Sequence, residues 1–125
     1  LETLEYIHLH KTGALLKACV RTGAMIAGAN EKLLQALTTY AEGIGLAFQI
    51  IDDILDLTSS SEKLGKTAGK DLLADKTTYP KLLGMEESKK RAFDLVETAK
   101  KAIEPWGEDA KYLISLADFI TNRDR

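Results

Sequence analysis

The stretch Phe48-Gln49-Ile50-Ile51-Asp52-Asp53-Ile54-Leu55-Asp56 sets three carboxylates into an otherwise apolar run that contains no helix breaker. At about 100° per residue, Asp52 and Asp56 form an i, i+4 pair and Asp53 and Asp56 an i, i+3 pair, while Gln49 and Gly45 extend the same stripe. Ile44, Ala47, Phe48, Ile51, Ile54 and Leu55 fall at the steps of a core-facing stripe. The expectation is a helix that packs on one side and shows acid on the other. Charged helix faces most often meet only water. Ile50, with Ile54, carries apolar surface well round the helix and leaves the acids a narrow window, which suits a cavity wall instead. No Lys, Arg or His lies between Lys32 and Lys63. Carboxylates beside so much apolar surface then need cations from elsewhere: bound metal ions, basic side chains brought in by the fold, or both.

Helical periodicity continues on either side, and no segment has the alternation of a strand, so the chain is expected to be all-α. Helical regions are expected over about Leu1 to Ala27, Glu31 to Thr58, Glu86 to Glu104 and Glu108 to Asn122. Gly28-Ala29-Asn30 ends the first with residues that tolerate left-handed backbone, and Pro105 stops the third. The third carries an apolar stripe of Ala92, Val96, Ala99 and Ile103, with Glu97 and Lys101, and Glu87 and Arg91, placed to pair across exposed turns. The fourth repeats the pattern through Leu113, Leu116, Ala117 and Ile120. Neither shows evident chemistry.

A chain of 125 residues, 45% hydrophobic and 29% charged, suffices for one domain with a real core. Seventeen basic against nineteen acidic residues leave a net charge of -2, so no global field draws it to nucleic acid or anionic membrane. Any phosphate binding must be local. The single cysteine, Cys19, excludes an internal disulfide, suits a reducing compartment and is expected to pack between helices. No apolar run approaches the roughly 20 residues of a membrane span and no cleavable signal is visible, which makes the cytoplasm the expected location. Leu1-Glu2-Thr3-Leu4-Glu5 is already helical in pattern, without initiator Met or leading cap, as expected for a piece of something longer.

The connection after the acidic helix, Ser59 to Lys70, is rich in serine, glycine and lysine and passes through Leu64-Gly65-Lys66-Thr67-Ala68-Gly69-Lys70-Asp71. It could fold Lys66 and Lys70 back over the acids. A phosphate-cradling P-loop fails here, since Leu64 stands where its first glycine belongs and Asp71 where Ser or Thr belongs. An EF-hand fails because Ile54 stands where that loop needs Asp or Asn. His8 and His10 are two apart and point to different sides of a helix, so they suit surface or core positions better than a zinc site. Lys11 lies on the apolar line through Leu4 and Leu15. Its stem either packs while the amine reaches water, or, with Thr12 and Gly13, faces the same cavity as the acids. Carboxylates suited to Mg²⁺, lysines suited to phosphate and apolar walls together favour a lipid diphosphate over a nucleotide.

These residues resemble a family. Phe48-Gln49-x-x-Asp52-Asp53-x-Leu55-Asp56 is similar to the second aspartate-rich motif of the trans-isoprenyl diphosphate synthases, the polyprenyl synthetase family. Lys11-Thr12-Gly13 resembles its KTG segment. Gly65 to Asp71, followed by Lys76-Thr77-Thr78-Tyr79-Pro80, resemble its downstream loop and the start of its next helix. The wording is similar to that of bacterial and plastid-type geranylgeranyl diphosphate synthases.

The resemblance implies the carboxyl-terminal portion of a helical bundle around a central cavity, residues 1–125 forming part of one polyprenyl synthetase domain. It implies Mg²⁺-dependent condensation of an allylic diphosphate with isopentenyl diphosphate, in a homodimer, in the cytoplasm or, for a plant-type source, the plastid stroma. Asp52, Asp53 and Asp56 are the implied metal ligands, direct or through water. Lys11, Lys66 and Lys70 are the implied diphosphate contacts, with Asp71 a further loop contact. Thr12 and Gln49 aim oxygen dipoles at the allylic cation. The family's first aspartate-rich motif and its basic isopentenyl diphosphate segment have no counterpart here, so the chain alone is expected to be inactive. A non-catalytic partner subunit and a terpene cyclase or squalene-type synthase are the other classes that share this chemistry. The first has little reason to keep Lys11, Asp52, Asp53, Asp56 and Lys66 together, and the Lys66–Asp71 loop favours chain elongation over the second.

Overall fold

The computed structural model describes residues 1–63 and 76–123, with backbone alone for 60–63. The order of elements is α1 (Glu2–His8), a π-helical turn (Leu9–Gly13), α2 (Ala14–Ile26), α3 (Glu31–Lys63), α4 (Tyr79–Leu83), α5 (Met85–Ile103), a 3₁₀ segment (Glu104–Ala110) and α6 (Lys111–Asn122). Among the described residues there is no strand, and no helix is long and apolar enough to cross a membrane.

The expected first helix is α1, the π turn and α2 running on without a break. Its end is a Schellman cap: Gly28 adopts φ 76°, its N–H donates to the Met25 carbonyl at 3.1 Å, and the Ala29 N–H to Ala24 at 2.9 Å. Asn30 then opens α3, its side chain accepting from the Leu33 N–H at 2.9 Å. That tight turn sends α3 back antiparallel to α1–α2, and cross-contacts track the reversal: Arg21 donates to Thr38 at 2.6 Å and Lys17 pairs with Glu42 at 2.9 Å. α3 runs on to Lys63 rather than stopping near Thr58, with no glycine or proline intervening before Gly65.

α3 is the axis of the fold, and two glycines on opposite sides of it set how closely its neighbours approach. A Cβ on Gly45 would sit 3.2 Å from the Gly13 Cα, so the π turn meets α3 glycine on glycine. A Cβ on Gly43 would stand 3.0 Å from the Leu95 carbonyl oxygen and from the Ala99 Cβ of α5. Clasped from both sides, α3 is buried nearly all round: Tyr40, Ile44, Ala47, Ile50, Ile51 and Ile54 all lie in the core. The expected stripe of α5, Ala92, Val96, Ala99 and Ile103, is buried against it, as are Ala117 and Ile120 of α6. Tyr40 donates its hydroxyl to the Leu113 carbonyl at 2.7 Å, and burial pushes its phenol up to about 12.

Several surface expectations are corrected. Leu116 is exposed, and so is Cys19, on a face of α2 that no described element covers. Glu97 pairs with Lys100, which also reaches Asp118 on α6. Arg91 reaches across the fold to Glu5 of α1 instead of along its own helix to Glu87. A long-range partner on a packed neighbour wins over an i, i+4 partner whose side chain is free to stay in water.

Candidate functional site

The three carboxylates do not form one exposed acidic face. Consecutive residues on a helix point about 100° apart, so Asp52 and Asp53 diverge. Asp53 turns inward and is only 1% exposed. Its Oδ2 accepts from His8 Nε2 at 3.4 Å and from the Tyr79 backbone N–H at 3.1 Å, while Oδ1 lies 3.4 Å from Lys76 Nζ. Asp56, one turn on and exposed, shares the same ammonium at 3.6 Å. Asp52 faces the other way and is paired with Arg123, the residue after α6, whose guanidinium also lies over the Phe48 ring at 4.1 Å.

Burial pushes the Asp53 carboxyl up, but the His8 hydrogen bond, the Tyr79 N–H and the Lys76 charge outweigh it, so Asp53 ends below the ordinary carboxylate range. Asp53 is therefore an ionised buried group fully engaged by protein donors. Those donors come from three places in the chain: α1, the segment before α4, and the α4 N-terminus. One carboxylate ties them to α3. Tyr79 closes the arrangement, its ring stacked on that of His8 with centroids 5.7 Å apart. Burial, then the neighbouring Glu5, raise the Tyr79 phenol well above its usual range.

Beside this knot lies a cavity of about 430 Å³, within the range of small-molecule sites, where Lys11, Gln49, His8 and Lys76 meet the apolar side chains of Ile7 and Leu82. Lys11 and Gln49 thus face a common space, two cations are available to an anion placed there, and the walls accept hydrocarbon. The π turn contributes to this geometry. Its wider winding follows directly on His8, which faces inward to Asp53, and contains Lys11, which is exposed at the cavity rim. Short π segments recur at functional sites for this reason. Thr12 is half-buried and is not among the residues lining the cavity. Lys66, Lys70 and Asp71 lie outside the described residues.

Among the described residues, no three carboxylate, histidine or cysteine side chains converge on a point that would hold a metal ion. Asp52 and Asp56 keep 40% and 57% of their side-chain surface exposed and are hard oxygen donors. Mg²⁺ takes one or two carboxylates and completes its shell with phosphate and water, so this donor set fits it as a partial site.

Three residues of the site were not expected from the sequence. His8 suits a surface or core position by its sequence and carries no site role there, although its place three residues before Lys11 puts it on the same helical face. Lys76 stood in the downstream segment without a role. Arg123 had no local signal, since its partner is 71 residues away.

The polyprenyl synthetase family model matches residues 1–114. A dimethylallyltranstransferase of Fischerella ambigua (strain UTEX 1903) is 57% identical over 123 residues, covering 98% of this chain and 36% of that protein. A geranylgeranyl diphosphate synthase of Cyanophora paradoxa is 57% identical over 99% of this chain and 41% of its own length. The chloroplastic geranylgeranyl pyrophosphate synthase of Capsicum annuum is 54% identical over 99% of this chain and 34% of its own. Among solved structures, a putative farnesyl-diphosphate synthase from Marinomonas sp. MED121 superposes with a TM-score of 0.81 at 41% identity, covering 98% of this chain and 40% of that one. The chain thus spans 34–41% of the length of these curated relatives.

Proposed function

The chain belongs to the polyprenyl synthetase family, and from that premise we infer that it is the carboxyl-terminal part of a prenyltransferase that condenses an allylic diphosphate with isopentenyl diphosphate. The observation that carries this reading is the cavity in which Lys11, Gln49 and Lys76 meet an apolar wall, beside the carboxylates of α3. A charged head and a hydrocarbon tail are the two parts of a prenyl diphosphate.

In this reading Lys11 and Lys76 bind the allylic diphosphate and neutralise the charge that grows on it as the C–O bond ionises, with Lys66 and Lys70 adding to them from the loop. Asp52 and Asp56 would hold Mg²⁺, with Asp53 behind them. Mg²⁺ when bound supplies further positive charge against the leaving diphosphate. Gln49, which lines the cavity, aims its oxygen dipole at the allylic cation; the same role for Thr12 rests on the KTG resemblance alone. The apolar wall excludes water, which would otherwise capture that cation before the double bond of isopentenyl diphosphate attacks. Loss of a proton then completes the extension.

Geranylgeranyl diphosphate is the proposed product, supported by the names of the Cyanophora and Capsicum relatives. The intact enzyme is proposed to be a homodimer, in the cytoplasm or, for a plant-type source, in the plastid stroma. The test is incorporation of isopentenyl diphosphate into longer prenyl diphosphates by the intact protein with Mg²⁺. Elongation is expected from it and none from residues 1–125 alone. An intact protein that ionises allylic diphosphates without incorporating isopentenyl diphosphate would refute the assignment to chain elongation.

A further inference from the structure

We propose that His8 is a positioning residue for the diphosphate site, acting through Asp53 on Lys76. Lys76 precedes α4 in a segment of no regular structure; its carbonyl accepts from Lys81 Nζ at 2.7 Å, and its ammonium is placed by side-chain partners. Its anchor is Asp53 Oδ1 at 3.4 Å, helped by Asp56 at 3.6 Å. Asp53 can present Oδ1 to the lysine only while Oδ2 is held, and two donors hold it: the Tyr79 N–H at 3.1 Å and His8 Nε2 at 3.4 Å. The amide of Tyr79 opens α4, three residues after Lys76, and ties the carboxylate to that helix. His8 comes from α1, which runs on into the turn that carries Lys11, and is the one of the two that fixes the carboxylate relative to Lys11.

The side chain itself is suited to this. It is 6% exposed, stacked on Tyr79, and reaches its partner across 45 residues of chain. An apolar side chain of similar size would fill the same space. An imidazole is needed there only for its N–H.

The inference rests on the prenyl-transfer reading for its kinetic consequence and is testable apart from it. In the intact protein, His8→Leu is expected to raise KM for the allylic diphosphate about tenfold, the cost of one charge-assisted hydrogen bond at the site, and to leave KM for isopentenyl diphosphate unchanged. His8→Gln, which returns an N–H at nearly the same reach, is expected to recover most of the loss. Binding of inorganic diphosphate with Mg²⁺, measured by calorimetry, should weaken in parallel in His8→Leu. In histidine selectively labelled with ¹⁵N, the His8 Nε2 resonance should be that of a protonated nitrogen and should move on Asp53→Leu.

A His8→Leu enzyme with native KM values overturns the proposal. So does equal impairment of the Leu and Gln variants with a matching fall in melting temperature, which would make His8 a packing residue only. If the intact wild-type protein does not elongate prenyl chains, the prenyl-transfer assignment falls. The diphosphate affinity of His8→Leu and the nitrogen resonance then still decide the role of His8.

Discussion

Asp53→Ala and Asp56→Ala remove the same group one helical turn apart, and the structure assigns them very different costs. Asp53 is buried, and its loss takes the acceptor from the His8 Nε2 donor and from the Tyr79 N–H. Each stranded donor costs about 1–3 kcal/mol. Lys76 is half exposed and returns to water at little cost. With two donors stranded, the expected loss for Asp53→Ala is about 2–5 kcal/mol. Asp56, exposed and paired among the described residues with Lys76 at 3.6 Å, should cost no more than about 1 kcal/mol. Urea unfolding of the intact protein, followed by far-ultraviolet circular dichroism in EDTA so that no divalent ion contributes, measures both. Equal losses, or less than about 1 kcal/mol for Asp53→Ala, would show that Asp53 does not tie α1 and the α4 N-terminus to α3.

Asp52→Ala in the intact enzyme should lower kcat by at least about 100-fold, the scale for removing one element of charge stabilisation at a leaving group, read as isopentenyl diphosphate incorporation; an unchanged kcat takes Asp52 out of the mechanism. Gly43→Ala brings a methyl 3.0 Å from both the Leu95 carbonyl oxygen and the Ala99 Cβ, forcing α3 and α5 apart, and should destabilise by about 1–3 kcal/mol in thermal unfolding. The folded Asp53 carboxyl is more acidic than the 3.8 of an unstructured one. Its contribution is complete above that value and is lost as pH falls through the depressed folded one, so acid unfolding of Asp53→Asn should be less steep than native as pH falls below about 3.8.

The periodicity of α5 located its buried face correctly because burial repeats with the helical turn; that of α3 found Ile44, Ala47, Ile51 and Ile54 but not how far burial runs round the helix; and the Gly28-Ala29-Asn30 turn was legible because its cap requires a left-handed residue at one position. α4 was not legible from periodicity: five residues beginning at Tyr79-Pro80 are too short to show a period. At the site, Lys11, Gln49 and the three aspartates carry their types and spacing in plain view. What the sequence could not show is that Asp53 faces inward. A stripe drawn on one helix knows nothing of what covers it, and α3 is covered by α1, α4 and α5 together. The charge partners, His8, Lys76 and Arg123, lie 45, 23 and 71 positions from their acids, beyond the reach of any local pattern.

The glycine contact between the π turn and α3 also decides where this chain tolerates a change of length. Gly13 seated on Gly45 fixes the antiparallel register, and His8 meets Asp53 only because the two arms measured from that seat are matched. One residue inserted between His8 and Gly13 would swing His8 by about 100° and slide it about 1.5 Å along its axis, carrying the imidazole away from the carboxylate. The same change in the turn after Ala27 shifts only a solvent-facing bend. In the evolution of such a sequence, the short arm from His8 to Gly13 should be as fixed in length as the acidic motif is in composition, and natural insertions should gather at the turn.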